Sequence, residues 1–239
     1  MDKMNTLVII PTYNEAENIG RVIPAMRLAT PQATILVVDD NSPDGTARIV
    51  EKLSAADHLV KLVAREKKKG RGSAVLEGIA FGINNGFDLI AEMDADLSHD
   101  PADFPKLIEK TKEADVVIGS RYIAGSSIIN WPAGRKILSA CANRYIRMNL
   151  GLPINDCTNG YRVYSRAAAE TIIKTGLRTS GHIALSEIAY ILFMAGFTFG
   201  EIPVTFVNRK YGRSTTNFHE IAASLAAIHI IKNTNRVSL

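Results

Sequence analysis

Asp94, Ala95 and Asp96 place two carboxylates one residue apart, directly after an apolar run over residues 87–93. Carboxylates at that spacing, at the end of a buried strand, can be aimed at a single divalent cation. Hard oxygen donors favour Mg²⁺ or Mn²⁺, and such ions keep coordination positions open for phosphate oxygens. A cation held there would neutralise a departing diphosphate. A lone acidic triplet also fits a solvated turn or a helix cap. The preceding strand and the polar motifs elsewhere favour chemistry.

Asp39 and Asp40 end another apolar run and lead into Asn41-Ser42-Pro43-Asp44-Gly45-Thr46. A carboxylate there can accept hydrogen bonds from a nucleotide base or ribose. Asp40, Ser42 and Asp44 can equally organise the turn and cap the following helix. Both roles are expected, with Asp39 as the ligand contact. Lys67-Lys68-Lys69-Gly70-Arg71-Gly72 combines cations and glycines just before a helix. That pattern suits phosphate, and it suits a solvated charge run as well. No aromatic residues are interleaved with these bases, so nucleic acid is not expected as a partner.

Other chemistries lack their motifs. No GxGxxG follows the first strand and no GxxxxGK[ST] occurs, which argues against a dinucleotide dehydrogenase and a P-loop nucleotidase. No GxSxG elbow is present to carry a serine nucleophile.

The elements that must position these residues follow an alternating pattern. Apolar runs over residues 6–10, 33–38, 59–64, 87–93 and 114–118 read as strands. Helices are expected between them, the first over residues 15–29 capped by Asn14, with Pro24 in its middle. The rhythm predicts an α/β fold with a largely parallel sheet and helices on both faces. Its polar motifs sit where the strands end. Further on, helices are expected over residues 135–150, 184–195 and 219–232, and a strand over 198–207. No repeat or linker interrupts the chain, so one domain is expected.

The bulk properties agree. The chain has 239 residues, 46% of them hydrophobic, enough for one sizeable core, and its net charge of +4 suggests anionic partners. Cys141 and Cys157 form no CxxC pair, so buried reduced thiols in a cytoplasmic protein are expected. No apolar run reaches the roughly 18–20 residues that span a bilayer. Ile221, Leu225, Ile228 and Ile231 form a stripe near the end of the chain. It suits core packing or a bilayer surface, where Lys232 and Arg236 would assist, and core packing is the favoured reading.

Taken in order, the motifs resemble a known family. Pro11-Thr12-Tyr13-Asn14-Glu15, the turn at residues 39–46 and Met93-Asp94-Ala95-Asp96-Leu97-Ser98-His99-Asp100-Pro101 are similar to family 2 of the inverting nucleotide-sugar glycosyltransferases. Within it they resemble the dolichyl-phosphate (polyprenyl-phosphate) mannose synthases. The likeness continues through Gly119-Ser120-Arg121-Tyr122, Asn130-Trp131-Pro132, Arg135, Ser139, Ala142-Asn143, the segment 156–162, and the segment 200–204 on to Arg209 and Gly212.

The resemblance implies a GT-A fold across residues 1–239, with a nucleotide-binding half over 1–120 and an acceptor-side half over 121–239. It implies transfer of a sugar, mannose from GDP-mannose, to a polyprenyl (dolichyl) monophosphate at the cytoplasmic face of a membrane, with the chain in peripheral contact. By the same resemblance Pro11, Tyr13, Glu15, Val37 and Asp39 hold the nucleoside. Asp94, Ala95 and Asp96 take diphosphate and metal, and Arg121, Arg135 and Arg209 take phosphates of donor or acceptor. An anionic acceptor oxygen dispenses with a strong general base, so positioning and charge neutralisation would carry the catalysis.

Three departures bear on specificity. Ser98 stands where the family usually has a metal-shell Gln, and serine would need a water to reach the ion. Thr215 stands where the family has a phosphate-binding lysine, for which Arg213 is a candidate replacement. Ser186 precedes Glu187 where the family prefers Gln. Two alternatives therefore stay open: a UDP-sugar or non-lipid acceptor, and an inactive nucleotide-sugar-binding regulator.

Overall fold

Leu7, Val8, Ile9 and Ile10 are all fully buried, yet they serve two different cores. Leu7 and Ile9 pack on one side of strand β1 (Thr6–Thr12), and Val8 and Ile10 on the other. The two-residue period of a strand sends alternate side chains to opposite faces, so a strand covered on both faces reads as an unbroken apolar run. Strand β2 (Thr34–Asp39) behaves likewise, with every residue buried.

The computed structural model describes residues 4–179, 181–208 and 227–232. In chain order the next elements are helix α1 (Ala16–Ala29) before β2, then α2 (Thr46–Ala56), β3 (Val60–Ala64), α3 (Arg71–Asn84) and β4 (Leu89–Glu92). A single 3₁₀ turn (Pro101–Asp103) leads into α4 (Phe104–Lys110), β5 (Val116–Ser120), β6 (Ser127–Ile129) and α5 (Ala133–Leu150). The chain continues with β7 (Arg162–Ser165), α6 (Arg166–Thr175), α7 (Ala184–Met194), β8 (Phe199–Pro203) and β9 (Thr205–Val207).

Seven strands form one sheet in the order β3-β2-β1-β4-β7-β5-β8, and β6 pairs with β9 in a separate ribbon. The β3-β2-β1-β4 half is parallel, as is β5 with β8, while β7 runs antiparallel to both its neighbours. Helices α1, α2 and α4 cover one face through Ile19, Ile23, Val50 and Phe104. Helices α3, α6 and α7 cover the other through Val75, Ile79, Ile172 and Ile188. Gly78 lets α3 lie close to the sheet, since a Cβ there would sit 2.6 Å from Ile9 Cγ2.

Several expectations are corrected. Asn14 does not cap α1: it sits at φ 58°, and the first amides of the helix are taken from across the turn. Glu15 N–H donates to Thr46 Oγ1 at 3.0 Å, and Ala16 N–H donates to Asp44 Oδ2 at 3.0 Å. The turn serves both helices: Asp44 Oδ1 accepts from Thr46 N–H at 3.0 Å at the start of α2, as expected, while Asp44 Oδ2 and Thr46 Oγ1 take the first amides of α1. Pro24 is accommodated inside an unbroken α1. The strand expected over residues 198–207 is two, because β8 joins the main sheet and β9 pairs with β6. Strand β7 and helix α6 were not anticipated.

Of the two expected buried thiols only Cys157 is buried, and burial pushes it up to about 12; Cys141 is exposed on α5. Residues 227–232 are helical, with Ile228 and Ile231 in the core, so this part of the terminal stripe is packing surface. The remainder of that expected helix lies outside the described residues. Among the described residues no helix is long and apolar enough to cross a membrane.

Candidate active site

The parallel half of the sheet ends at one edge with Thr12 of β1, Asp39 of β2 and the loop after β4. Residues 94–100 form that loop. Ala95 and Asp96 are buried, and the Asp94 side chain keeps 30% of its surface exposed. Leu97 takes φ 59°, a left-handed conformation unusual for a branched aliphatic residue. Just beyond that reversal, Ser98 N–H and Ser98 Oγ–H both donate to Asp96 Oδ1, at 3.0 and 2.5 Å. Ser98 is itself buried, so its hydroxyl serves to orient the Asp96 carboxylate.

Asp94 is held by Arg71 at its carboxylate and by His99 at its backbone. Arg71, the first residue of α3, donates from Nε and Nη2 to Asp94 Oδ1 at 3.1 and 2.9 Å. The same Nη2 lies 3.0 Å from Glu92 Oε2, and Glu92 Oε1 accepts from Tyr164 Oη–H at 2.6 Å. Burial works against the Arg71 charge, but Asp94 and Glu92 outweigh it and raise its pKa above the ordinary arginine value. The backbone of Asp94 is fixed by His99, whose Nδ1 lies 3.4 Å from Asp94 N. That N–H can only donate, so Nδ1 accepts and the ring proton sits on Nε2. Asn159 Oδ1 receives it at 2.7 Å, while Asn159 Nδ2 donates to Gly119 O. The imidazole stacks on Tyr161 at 4.8 Å between centroids.

Gly160 is required by this packing. A Cβ there would lie 2.2 Å from Arg71 Nη2 and 3.3 Å from Asp94 Oδ1.

A cationic group flanks the acidic one. Arg121 follows β5 and forks onto Asp156, with Nε–Oδ2 at 2.7 Å and Nη2–Oδ1 at 2.8 Å. Nη2 also donates to Thr158 Oγ1 at 2.8 Å. The Arg135 guanidinium carbon lies 4.2 Å from the Trp131 ring centre and that of Arg121 5.7 Å from it, so one indole contacts both cations. Phe206 links the two groups, with its ring 5.5 Å from His99 and 5.2 Å from the Arg121 guanidinium carbon. The buried Trp131 Nε1–H has no hydrogen-bond partner among the described residues. Tyr122 Oη–H donates to Ser139 Oγ at 2.6 Å, tying the Arg121 loop to α5.

Of the residues expected to hold a nucleoside, Pro11, Tyr13, Glu15 and Asp39 gather at the ends of β1 and β2. Tyr13 is 39% exposed, with Lys68 Nζ 3.5 Å above its ring centre. Asp39 accepts from Thr12 Oγ1, Ser42 N–H and Ser42 Oγ at 2.8, 2.8 and 2.6 Å, so its carboxylate already organises the turn. Val37 is wholly buried in the core beneath them. Asp40 pins the basic loop, accepting from Lys69 N–H and Gly70 N–H at 2.8 and 2.7 Å and from Arg65 Nη1 at 2.9 Å. Arg209 and Arg213 lie outside the described residues. Sequence alone places Arg71 in a basic loop suited to phosphate, and His99 and Asn159 within the family's motifs, but assigns none of them, nor Glu92, a role at the acidic pair.

A mixed sheet whose parallel strands end at an acidic pair, with helices on both faces and arginines alongside, defines a GT-A-like α/β fold. The same fold is seen in glucosyl-3-phosphoglycerate synthase from Mycobacterium tuberculosis, solved with Mn²⁺, UDP and glucosyl-3-phosphoglycerate. That structure has TM-score 0.66 and 17% identity, covering 96% of this chain and 78% of that one. A mannosyltransferase from Pyrobaculum calidifontis, in complex with GDP-Man and Mn²⁺, has TM-score 0.66 and 18% identity, covering 98% of this chain and 65% of that one.

Residues 7–173 match the family described as Glycosyl transferase family 2, and the chain belongs to that family. It is 42% identical over 211 residues to the polyprenol monophosphomannose synthase of Mycolicibacterium smegmatis, covering 87% of this chain and 80% of that protein. It is 39% identical over 211 residues to the undecaprenyl-phosphate mannosyltransferase of Micrococcus luteus, covering 88% and 87%.

Proposed function

We propose that the chain is a metal-dependent, inverting transferase that moves mannose from GDP-mannose to the phosphate of a polyprenyl monophosphate. The observation that carries the reading is the juxtaposition of an oriented acidic pair, Asp94 and Asp96, with the Arg121–Trp131–Arg135 group. The identity to two polyprenyl-phosphate mannosyltransferases supports the choice of donor and acceptor.

The residues present suit a divalent cation. Asp94 and Asp96 supply hard carboxylate oxygens, and among the described residues no cluster of three or more His, Cys, Asp or Glu could enclose a metal. Mg²⁺ and Mn²⁺ bind in this way, through one or two carboxylates plus substrate phosphate and water. Asp94 and Asp96 would hold the ion, with Ser98 setting the Asp96 carboxylate; when bound, it neutralises charge on the diphosphate leaving group.

The chain's own residues do the rest by position. Pro11, Tyr13, Glu15 and Asp39 bound the nucleoside site, above a core that includes Val37, and residues 1–120 form the donor half of one catalytic domain. Arg121 and Arg135 draw the acceptor phosphate toward the anomeric carbon. An acceptor phosphate oxygen attacks that carbon as the bond to the diphosphate breaks, inverting the centre. The nucleophile is already anionic, so no general base is assigned. Arg209 and Arg213 are proposed as further phosphate contacts.

Peripheral contact with an anionic bilayer fits α5. Its outer face exposes Ile137, Leu138, Tyr145 and Met148, and the helix carries Arg135, Lys136, Arg144 and Arg147 with no carboxylate.

The test is a donor panel with polyprenyl phosphate and Mn²⁺ or Mg²⁺, following lipid-linked sugar. Mannosyl lipid from GDP-mannose, lost in Asp94→Ala and Asp96→Ala, is expected. Transfer only from a UDP-sugar would overturn the donor assignment. Metal-dependent nucleotide binding without transfer to any acceptor would favour a regulatory homologue.

A further inference from the structure

We infer that Arg71 is a counter-cation built into the acidic site, holding Asp94 in place and making capture of a divalent cation depend on the nucleotide. The inference rests on the reading that Asp94 and Asp96 hold that cation.

The geometry singles out Arg71 among the cations of its segment. Its guanidinium is anchored at both ends of a short path: two donors reach Asp94 Oδ1, and Nη2 also reaches Glu92. Glu92 has no exposed surface and is held on its other oxygen by Tyr164. The Arg71 side chain is only 17% exposed, and the missing side chain of Gly160 leaves the space that Nη2 occupies. At its root, Gly70 N–H is pinned to Asp40 Oδ2 at 2.7 Å, so the start of α3 is fixed as well. This charge cannot swing away as a surface lysine can.

A fixed positive charge about 3 Å from a carboxylate oxygen has two effects on a second cation. It orients the carboxylate, which favours binding. It also repels the incoming ion and takes up part of the negative potential that would attract it, which opposes binding. Glu92 offsets some of that repulsion from the far side of Arg71. A nucleoside diphosphate adds negative charge on the open side of Asp94 and reverses the balance. Metal and nucleotide are then coupled, and linkage makes the coupling reciprocal.

The experiment is Mn²⁺ binding followed by electron paramagnetic resonance, with and without GDP, so no turnover enters the readout. Wild type is expected to bind Mn²⁺ weakly alone and at least about tenfold more tightly with GDP. The double variant Arg71→Met/Glu92→Gln removes both buried charges and keeps an acceptor for Tyr164. It is expected to bind Mn²⁺ alone about tenfold more tightly than wild type, with a smaller gain from GDP. Arg71→Lys keeps the charge without the fork and is expected to keep the nucleotide dependence.

Equal Mn²⁺ affinity with and without GDP in wild type, abolished by Asp94→Asn/Asp96→Asn, overturns the inference and leaves the metal reading standing. Unchanged Mn²⁺ affinity in a double variant that still binds GDP overturns it too. Absence of Mn²⁺ binding to wild type even with GDP overturns the inference and the metal reading together. Should the double variant not fold, the wild-type comparison and Arg71→Lys decide the matter: tight binding of Mn²⁺ alone by either one overturns the inference.

Discussion

Asp156 and Arg121 form a forked ion pair almost entirely removed from solvent, with the carboxylate side chain 0% and the guanidinium side chain 6% exposed. Asp156 also accepts from the backbone N–H groups of Arg121 and Asn159, at 3.0 and 3.1 Å. It thereby ties the end of β5 to the loop before β7 and fixes where the Arg121 cation stands.

Truncating that carboxylate leaves a buried guanidinium uncompensated. Asp156→Ala is expected to cost about 3–5 kcal/mol of stability, measured by urea unfolding at neutral pH. The pH dependence follows from the same pair. Burial alone would raise the Asp156 pKa, but the Arg121 charge and its hydrogen bonds bring it below the ordinary 3.8. A depressed folded-state pKa contributes stability that is complete above 3.8 and is lost as pH falls through the lower folded value. Wild type is expected to lose stability steeply below that point, and Asp156→Ala to lose less over the same window. Parallel acid profiles for the two proteins would contradict the assignment.

His99 offers a test of backbone positioning in the acidic loop. His99→Phe keeps a ring against Tyr161 but removes the acceptor for Asp94 N–H and the donor for Asn159 Oδ1. Leaving buried polar groups unpaired costs roughly 1–3 kcal/mol. Transfer is expected to fall about tenfold or more through a loosened Asp94, since 1.4 kcal/mol is a factor of ten. GDP binding in the absence of metal should change little. Wild-type kinetics in this variant would show that the His99 contact does not position the acid pair.

The division between what was legible and what was not follows from the range of each interaction. Strands β1, β2, β4 and β5 announce themselves as buried apolar runs because burial on both faces is a local property of composition. The acidic pair is legible for the same reason: it stands at the end of such a run. Strand β7 is four residues long, starts with the fully buried Arg162, and lies between β4 and β5 only through tertiary pairing. Asn14 obeys the local rule for a helix cap, yet the amides it would serve go to Asp44 and Thr46, 28 and 31 residues from their donors. Arg71 sits in a run of cations that suits phosphate and a solvated face equally, and its carboxylate partner is 23 residues away. Pairings across such distances leave no mark in a periodicity.

Gly160 tests whether the Arg71–Asp94 contact needs the space it occupies. A methyl group there would collide with Arg71 Nη2 at 2.2 Å, well inside any tolerated approach. Gly160→Ala is expected to displace the guanidinium and lower transfer by an order of magnitude or more, with a destabilisation of about 1–3 kcal/mol from overpacking. Combining it with Arg71→Ala should recover much of the packing cost, because the clashing atom is gone. A double-mutant cycle in thermal unfolding measures this: additive losses would mean that the two residues do not meet.

The outer face of α5 bears on how the chain would reach a lipid-borne phosphate. Ile137 and Met148 are 65% and 69% exposed, on a helix whose charges are all positive. Burying one such side chain in the interfacial region of a bilayer contributes about 1.5–3 kcal/mol, and the nearby Lys and Arg residues add attraction to acidic lipid. Ile137→Glu with Met148→Glu reverses both contributions without touching Arg121, Arg135 or Ser139 on the inner side. Co-sedimentation with vesicles containing phosphatidylglycerol is expected to weaken at least tenfold, and to weaken in wild type as salt is raised. Transfer to a short, water-soluble polyprenyl phosphate should be retained in the same variant, because that acceptor needs no surface. Unchanged vesicle binding by the double variant, or no vesicle binding by wild type, would remove α5 as a membrane contact.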